Sequence, residues 1–370
     1  MATTDLFPDA LDWETWTALT LQQKAAAAAP HASPSLIAAA LPAIAPLCTC
    51  VELVRLTAAC RELRAVEQLP IDFSAVGIWS HKPDRPTQFI RFIKQHKRRF
   101  LVSKLTTWCL QEEFDWILKS AIGLQKLRCT AANRVLVRDD RLLITSLEAV
   151  PQARSLTDLT LDYGALYIGH GGFTDLGPLA RCTNLRRFSL LAVCDVKDLS
   201  PLAHCIRLTE LSLRYLRLLE DLSPLAQLIS LRALKVQECA SVSDITPLGR
   251  LVALEELTLV MLTKVIDIQP LANCTALHYL WMTGCFAIEN VRPLAALPSL
   301  RSLTLAGCRA LTDVSPLARC SSLESLNLSK CDRLRGDLSG LVNECASLRQ
   351  LNLRSTKARC EPREGLEVII

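Results

Sequence analysis

Apolar and polar residues repeat with a fixed period through the second half of the chain. One leucine returns every 23 residues, and further apolar residues follow it three and five residues later. If this leucine is position 1, positions 4 and 6 are apolar and flank a mostly polar position 5, the spacing of a half-buried strand. Each unit therefore begins with a short strand, and stacking of nine such strands predicts a parallel sheet on one face. The 23-residue steps run through Leu185, Leu208, Leu231, Leu254, Leu277, Leu300 and Leu323, with Leu156 before them and Leu348 after them.

The second half of each unit carries apolar residues at positions 12, 15 and 18 and a proline at position 17. Ser or Thr often stands directly before this proline, as at Ser200 and Thr246, which predicts a helix N-cap followed by proline in the first helical position. Each unit should therefore end in a short helix or 3₁₀ turn. Because strands and turns differ in width, the stack should curve. The prolines are Pro178, Pro201, Pro224, Pro247, Pro270, Pro293 and Pro316.

The pattern L-x-x-L-x-L-x-x-C, complete in Leu300–Cys308, resembles the leucine-rich repeat. The resemblance implies an α/β fold, a curved solenoid or horseshoe with a parallel concave sheet and short convex helical turns, preceded by a small α-helical N-terminal region. The second half of each unit, with the pattern D-[LIV]-x-P-L-[AG], is similar to repeats of phosphatase regulators and internalins. The cysteine at position 9 instead resembles the repeats common in F-box proteins, so the subclass does not decide the function.

A second resemblance lies in the N-terminal region. The segment Leu47–Arg64 is similar to the second half of an F-box, with Ala59–Arg64 matching the end of the motif. Proline interrupts the first helix of the motif, and Leu63 stands where tryptophan is usual. F-boxes bind a Skp-type adaptor, which joins them to a cullin; a plain helical cap for the solenoid is the competing interpretation. The residues that the resemblance assigns to the adaptor are Leu47, Val51, Leu53, Leu56, Cys60 and Leu63.

These patterns divide the chain into five segments. Within the degenerate repeats (70–155), strand-like runs around Leu105 and Leu127 flank a predicted convex-side helix at Phe114–Leu118. The basic run Arg91–Arg99, with Phe100, predicts an amphipathic helix; one such cluster is weak support for nucleic-acid binding. The segments are an extension (1–33), a helical F-box-like segment or cap (34–69), degenerate repeats (70–155), the regular array (156–353) and a C-terminal cap (354–370).

Cysteine and aspartate recur at fixed positions, and neither pattern indicates a reactive site. Cysteines at positions 9 and 21 would stack in the interior, where free cysteine behaves as a small hydrophobe. The aspartates at position 14 could form a carboxylate column for cations, but capping of the adjacent turn is the favoured interpretation. No cofactor or metal site is expected. These aspartates are Asp175, Asp198, Asp221, Asp244, Asp267 and Asp313.

Composition narrows the class of function further. The net charge of +5 is small for a nucleic-acid partner, no run is suited to cross a membrane, and the acidic first residues do not resemble a secretion signal. The cytoplasm is the expected compartment, with the nucleus as the alternative. No nucleophile motif, metal-ligand spacing or phosphate-binding glycine pattern indicates an enzyme.

Binding residues should lie on the concave strands, at positions without a role in the core. There the middle repeats present aromatic and apolar side chains edged by charge, which is typical of protein interfaces. The sequence thus predicts a non-enzymatic protein-recognition scaffold; a regulatory or structural subunit of a phosphatase, ribonucleoprotein or cytoskeletal assembly is the alternative. The candidate partner-binding residues are Arg214, Tyr215, Lys235, Gln237, Val260, Met261, Tyr279 and Trp281.

Overall fold

The computed structural model describes residues 69–73, 100–107, 111–120, 123–130, 144–163, 172–193, 195–361 and 363–370. In this part of the chain the strands follow one another at the spacing of the repeats. The strands are β1 (Leu69–Phe73), β2 (Phe100–Thr107), β3 (Lys126–Thr130), β4 (Asp158–Asp162), β5 (Arg187–Leu191), β6 (Glu210–Arg214), β7 (Ala233–Gln237), β8 (Glu256–Val260), β9 (Tyr279–Trp281), β10 (Ser302–Thr304), β11 (Ser325–Asn327), β12 (Arg335–Asp337), β13 (Gln350–Asn352), β14 (Lys357–Arg359) and β15 (Glu367–Ile369).

Thirteen of these strands form a single parallel sheet whose spatial order follows the chain, while β12 pairs with β14 in a separate two-stranded sheet. The register places each repeat position beside the same position of the next repeat, so that Leu257 of β8 lies next to Leu280 of β9. The predicted fold class, a leucine-rich-repeat solenoid, is therefore confirmed. The nine strands of the regular array are flanked by β1–β3 on one side and β15 on the other.

The face opposite the sheet carries short helical turns. Helix α1 (Gln111–Ser120) contains the segment predicted as a convex-side helix, and α2 (Ser339–Glu344) lies in the one repeat whose step is 25 residues. Between these helices every described convex turn is a 3₁₀ helix. These turns are Val150–Gln152, Gly177–Arg181, Ser200–His204, Ser223–Gln227, Thr246–Arg250, Gln269–Asn273, Arg292–Ala296 and Ser315–Arg319.

The capping of these turns differs from the sequence prediction. The residue in the cap position is the apolar residue of position 15, such as Leu199, and no cap side chain forms a hydrogen bond. Ser200 is already inside the turn; its backbone N–H donates to Oδ1 of Asp198 at 2.8 Å. The prediction of a Ser/Thr N-cap was therefore wrong by one residue, because the preceding aspartate supplies the acceptor instead.

The aspartates at position 14 all accept this same hydrogen bond. In each case Oδ1 accepts from the N–H two residues later, at distances from 2.6 to 2.8 Å. Asn290 takes the same role for the N–H of Arg292, which shows that the bond needs an oxygen and not a charge. Hydrogen bonding lowers the pKa of Asp198 and Asp244. The prediction that these carboxylates are caps is confirmed.

The core is a stack of apolar rows, one for each repeat position. In a representative repeat the side chains at positions 1, 4, 6, 9, 12, 15, 18 and 21 are at most 1% exposed. Every row continues in the neighbouring repeats, so each side chain is covered from both sides by its equivalents. These residues are Leu254, Leu257, Leu259, Leu262, Val265, Ile268, Leu271 and Cys274.

Cysteine rows add a weak polar contact to this core. Seven buried thiols donate toward a backbone carbonyl 26 residues earlier, as from Cys308 to Met282 at 3.2 Å and from Cys274 to Leu248 at 3.4 Å. Burial raises the pKa of Cys274 and Cys239 to about 11. All cysteines in the described part of the chain are free, and their places explain why both positions accept this residue: it is small, apolar and able to satisfy a buried carbonyl.

Position 8 turns the chain out of the sheet through a left-handed backbone conformation. In the repeats from Leu185 onward its φ lies between 56° and 70°, both for ordinary side chains and for glycine. Its N–H still continues the ladder, as from Tyr215 to the carbonyl of Gln237 at 2.9 Å. The conformation costs free energy for residues other than glycine. The residues are Ala192, Tyr215, Glu238, Met261, Gly284, Gly307, Lys330 and Ser355.

Two strands begin at residues that the sequence analysis placed in helices, both on the N-terminal side of the regular array. Strand β1 begins at Leu69, which the sequence placed in the helical segment, and β2 begins at Phe100, which the sequence placed at the end of the basic amphipathic helix. Both residues join the sheet because strand pairing extends beyond the regular repeats. After Leu353, β15 pairs with β13. The six adaptor-binding candidates between Leu47 and Leu63, and the basic run Arg91–Arg99, lie outside the described residues.

The turn cap can be tested at Asp267, whose Oδ1 accepts from the N–H of Gln269. We expect Asp267→Ala to lower the free energy of unfolding by about 1 kcal/mol, the net value of one such hydrogen bond. Asp267→Asn keeps the oxygen, as Asn290 does naturally, and should cost a small fraction of that. Urea denaturation followed by circular dichroism measures both; equal losses in the two variants would contradict the cap.

The buried thiols should resist alkylation in the folded protein. At pH 8 we expect a maleimide to leave Cys239, Cys285, Cys308 and Cys331 unmodified, because they are fully buried and burial raises the pKa of each. Of the cysteines that the structure describes, the half-buried Cys360 should react first. Peptide mass spectrometry before and after denaturation locates the modified residues. Rapid labelling of Cys308 in the native protein would show that the rows open.

Candidate protein-binding face

The concave face is formed by alternate residues of the parallel strands. In β4–β7 the second and fourth residues are buried, whereas the first, third and fifth are half-buried or exposed. These outward residues are repeat positions 3, 5 and 7, because side chains along a strand alternate between its two faces. The sheet thus presents three parallel rows of side chains to solvent, each running across the strands.

A cleft of about 870 Å³ lies on this face over β4–β8. Its walls are largely polar and carry four basic and four acidic residues. A cleft of this size and charge suits the side chains of a polar peptide better than an apolar small molecule. Its charged residues are Asp158, Arg187, Glu210, Arg214, Arg232, Lys235, Glu255 and Glu256.

Two of the four basic residues are neutralised by neighbouring repeats. Arg187 forms an ion pair with Asp158 of the preceding repeat and a second with Glu210 of the following one, the latter at 3.4 Å. Arg232 pairs with Glu255 at 2.6 Å. All five side chains keep part of their surface in water, so each pair adds little to stability; their effect here is to satisfy one another's charge.

The other two basic residues have no such partner. Neither Arg214 nor Lys235 forms an ion pair with any described residue. The Arg214 guanidinium lies beside Tyr215, with its carbon 5.9 Å from the ring centroid, and its Nε is buried without a hydrogen-bond acceptor in the described structure. Arg214 is the last residue of β6 and pairs in register with Gln237, while Lys235 occupies position 5 of β7. The cleft therefore holds two adjacent unmatched positive charges.

An aromatic pair follows on β9. Tyr279 and Trp281 stand two residues apart on the same face, with their ring centroids 6.4 Å apart in an edge-to-face arrangement. The Trp281 indole Nε1–H donates to Oγ1 of Thr283, which fixes the ring, yet 41% of the side chain remains exposed. Burial and the charge of Glu256 raise the pKa of Tyr279. An oriented, half-exposed tryptophan is the type of residue that dominates protein interfaces.

Thr258 shows how the aromatic pair meets the charged cleft. It occupies position 5 of β8 and is only 5% exposed, unlike the half-buried threonines and serines of the same row. Its neighbours along the row are Lys235 and Trp281, the two largest residues in that position of the regular array. The cleft and the aromatic pair are thus continuous across the sheet.

The structure separates the eight sequence-predicted binding residues into four groups. Arg214, Lys235 and Gln237 line the cleft, and Tyr279 and Trp281 form the aromatic pair. Val260 ends β8 half-buried, beside Gln237 in register.

Tyr215 and Met261 lie elsewhere, in the left-handed position one residue beyond their strands. Tyr215 packs partly against the core. The Met261 side chain extends over Gly284, where an added Cβ would overlap its sulfur. These two residues therefore border the concave face instead of forming it, because the chain has already left the sheet at position 8.

Sequence reasoning missed the ion-paired part of the cleft. Its signal was present: position 3 alternates in charge over Asp158, Arg187 and Glu210, and position 2 does so over Arg232 and Glu255. Another feature outside the concave face was also missed, a row of exposed apolar residues at position 22, namely Ile206, Ile229 and Val252, with exposures from 57% to 62%.

Metal-binding groups and membrane-spanning helices are absent from the described residues. No group of three or more His, Cys, Asp or Glu side chains in them could hold a metal ion, and none of their helices is long and apolar enough to span a membrane.

Comparisons with known proteins give likenesses at the level of solved structures. No protein-family model matches the chain, and no curated protein matches it. It is similar to an internalin (inlF) from Listeria monocytogenes, with 22% identity over 76% of this chain and 88% of the other and a TM-score of 0.45.

Internalin C2 from the same organism gives 26% identity over 58% of this chain and 84% of the other, also with a TM-score of 0.45. The leucine-rich-repeat ectodomain of the Arabidopsis receptor kinase HAESA, solved with an N-terminally extended IDA peptide hormone ligand, gives 17% identity, 60% and 38% coverage and a TM-score of 0.44. Likenesses of this size carry no information about the partner of this chain.

Proposed function

We propose that this chain is a non-enzymatic recognition scaffold that binds a protein partner on the concave face between β6 and β9. The leucine-rich-repeat fold is typical of protein-binding domains. The observation that carries the proposal is the exposed, oriented Trp281 beside Tyr279, continuous with a charged cleft. Aromatic anchors surrounded by polar groups supply most of the binding free energy at protein interfaces.

Substitution of the anchor tests this proposal. We expect Trp281→Ala to lower affinity for the concave-face partner by at least about tenfold, since truncation of a central aromatic anchor commonly costs 2 kcal/mol or more. The measurement is quantitative mass spectrometry of proteins that co-purify with the tagged full chain. The free energy of unfolding should change little, because the indole is 41% exposed.

A matched control is Ile266→Ala, which removes an apolar side chain that is 67% exposed on the loop between β8 and the following 3₁₀ turn. It should leave the partner bound. If Trp281→Ala and Ile266→Ala retain the same proteins in the same amounts as the wild-type chain, the concave face is not the binding site.

A sharper form of the proposal makes the chain an F-box-like substrate receptor of a ubiquitin ligase. Its support is the sequence Leu47–Arg64, whose apolar residues have the helical spacing of the adaptor-binding half of an F-box. In this form the N-terminal region binds the Skp-type adaptor and through it a cullin, and the concave face presents the substrate. Such a receptor would act in the cytoplasm or the nucleus.

The alternative is a regulatory or structural subunit of a phosphatase, ribonucleoprotein or cytoskeletal assembly, in which residues 34–69 serve only as a cap. A double variant, Leu53→Lys with Leu56→Lys, distinguishes the ligase receptor from the subunit. In a receptor these charges should abolish co-purification of the adaptor and cullin and leave the concave-face partner bound. Trp281→Ala should do the opposite. Absence of adaptor and cullin from the wild-type sample would contradict the receptor and leave the subunit.

A further inference from the structure

The concave face carries two unpaired positive charges and a half-exposed tryptophan, and the sheet fixes the distance between them. Arg214 and Lys235 carry positive charges that no described residue pairs, whereas Arg187 and Arg232 in the same cleft are matched by acids. The half-exposed Trp281 lies on the same face, three strands from Arg214 and two from Lys235. Resting on the proposed function, we infer that the partner presents an extended acidic–aromatic segment, with a carboxylate between Arg214 and Lys235 and an apolar or aromatic side chain against Trp281.

Charge complementarity argues for the carboxylate. The buried Nε of Arg214 has lost its water without gaining an acceptor among the described residues, and an unmet buried donor is costly. Arg214 also lines the cleft, so a carboxylate of the partner can accept hydrogen bonds from its guanidinium, and such bonds are among the strongest in proteins. Lys235 lies on the adjoining strand, two repeat positions away along the face, and can contribute a second, more flexible charge. The side-chain amide of Gln237 lines the same part of the cleft.

One acidic residue opposes this attraction. Glu256 lines the same cleft on β8, the strand next to that of Lys235, and pairs in register with Tyr279, whose pKa its charge helps to raise. It forms no ion pair with any described residue. Its charge should weaken binding of an acidic segment, because like charges repel across a partly desolvated surface. Neutralising this one residue should therefore change affinity in the direction opposite to neutralising Arg214 or Lys235.

The sheet geometry sets the spacing within the segment. Neighbouring strands lie about 4.8 Å apart, so Arg214 and Trp281 are separated by roughly 14 Å and Lys235 and Trp281 by roughly 10 Å across the sheet. An extended peptide advances about 3.3 Å per residue, and its alternate side chains share a face. Two side chains four residues apart in an extended peptide lie on the same face and are about 13 Å apart. A carboxylate and an aromatic side chain at this spacing can therefore reach the two cations and Trp281 at the same time. The segment would cross the strands, along the axis of the stack.

The test is selection from a phage-displayed library of random 12-residue peptides on the immobilised full chain. We expect the enriched peptides to carry Asp or Glu four residues from Trp, Phe or Leu. The affinity of a synthetic enriched peptide, measured by calorimetry, should fall about tenfold or more for Arg214→Gln and Lys235→Gln together. It should rise for Glu256→Gln and fall as salt is added.

Arg301→Gln is the matched control. Arg301 is an exposed arginine of another repeat, whose guanidinium is 3.8 Å from Glu324, and its loss should leave peptide affinity unchanged. A selection with no acidic enrichment, or peptide binding that is unaffected by Arg214→Gln with Lys235→Gln, overturns the inference.

The outcomes also separate this inference from the proposed function. Binding that depends on Trp281 but not on Arg214 and Lys235 refutes the acidic segment and keeps the concave site. Binding that depends on none of the three refutes both. If no peptide is enriched at all, recognition of a linear segment is refuted, while the co-purification experiment with Trp281→Ala decides the concave site independently.

Discussion

Each coil of this chain can bury its apolar residues only between the coils on either side. This requirement governs the whole structure, because the rows of leucine in the core continue only if every coil brings the same position to the same place. The 23-residue step does this through matched registers, such as Leu257 beside Leu280. The aspartate caps hold each convex turn at the same point of the coil. Where one step is 25 residues, the extra length is taken up by α2 in place of a 3₁₀ turn, and β11 and β13 remain in register.

The same regularity determined how far the sequence could be interpreted. Leucine and proline spacing predicted the strands, the convex turns and the buried rows, because each of these depends on contacts between equivalent positions. The exact cap was mispredicted, since Ser200 and Asp198 are both suitable side chains and only the turn geometry decides between them. The left-handed position 8 was missed because Tyr215 and Met261 occupy it. Gly284 and Gly307, which share that position, were the signal that could have indicated it.

The candidate site lies at repeat positions whose side chains can change without disturbing the core. Positions 3, 5 and 7 point away from the core in the strands of the regular array, so their side chains can vary while the stack is preserved. Which arginine is neutralised depends on contacts between repeats, which the sequence alone does not give. Arg187 forms ion pairs with both neighbouring repeats, whereas Arg214 and Lys235 form none with the described residues. Contacts between repeats also place Thr258 under its larger neighbours. The two unpaired cations and the exposed aromatic pair are thus concentrated on β6–β9, although the backbone there is the same as elsewhere.

The matched register has an evolutionary consequence. Because a coil contacts only equivalent positions in its neighbours, duplication or loss of one 23-residue unit would leave the contacts of all other coils intact. Such an event within β6–β9 would move Arg214 relative to Trp281 by one strand spacing, about 4.8 Å. The gene could therefore change the distance between these two side chains in discrete steps, without any new fold and without any substitution in the core.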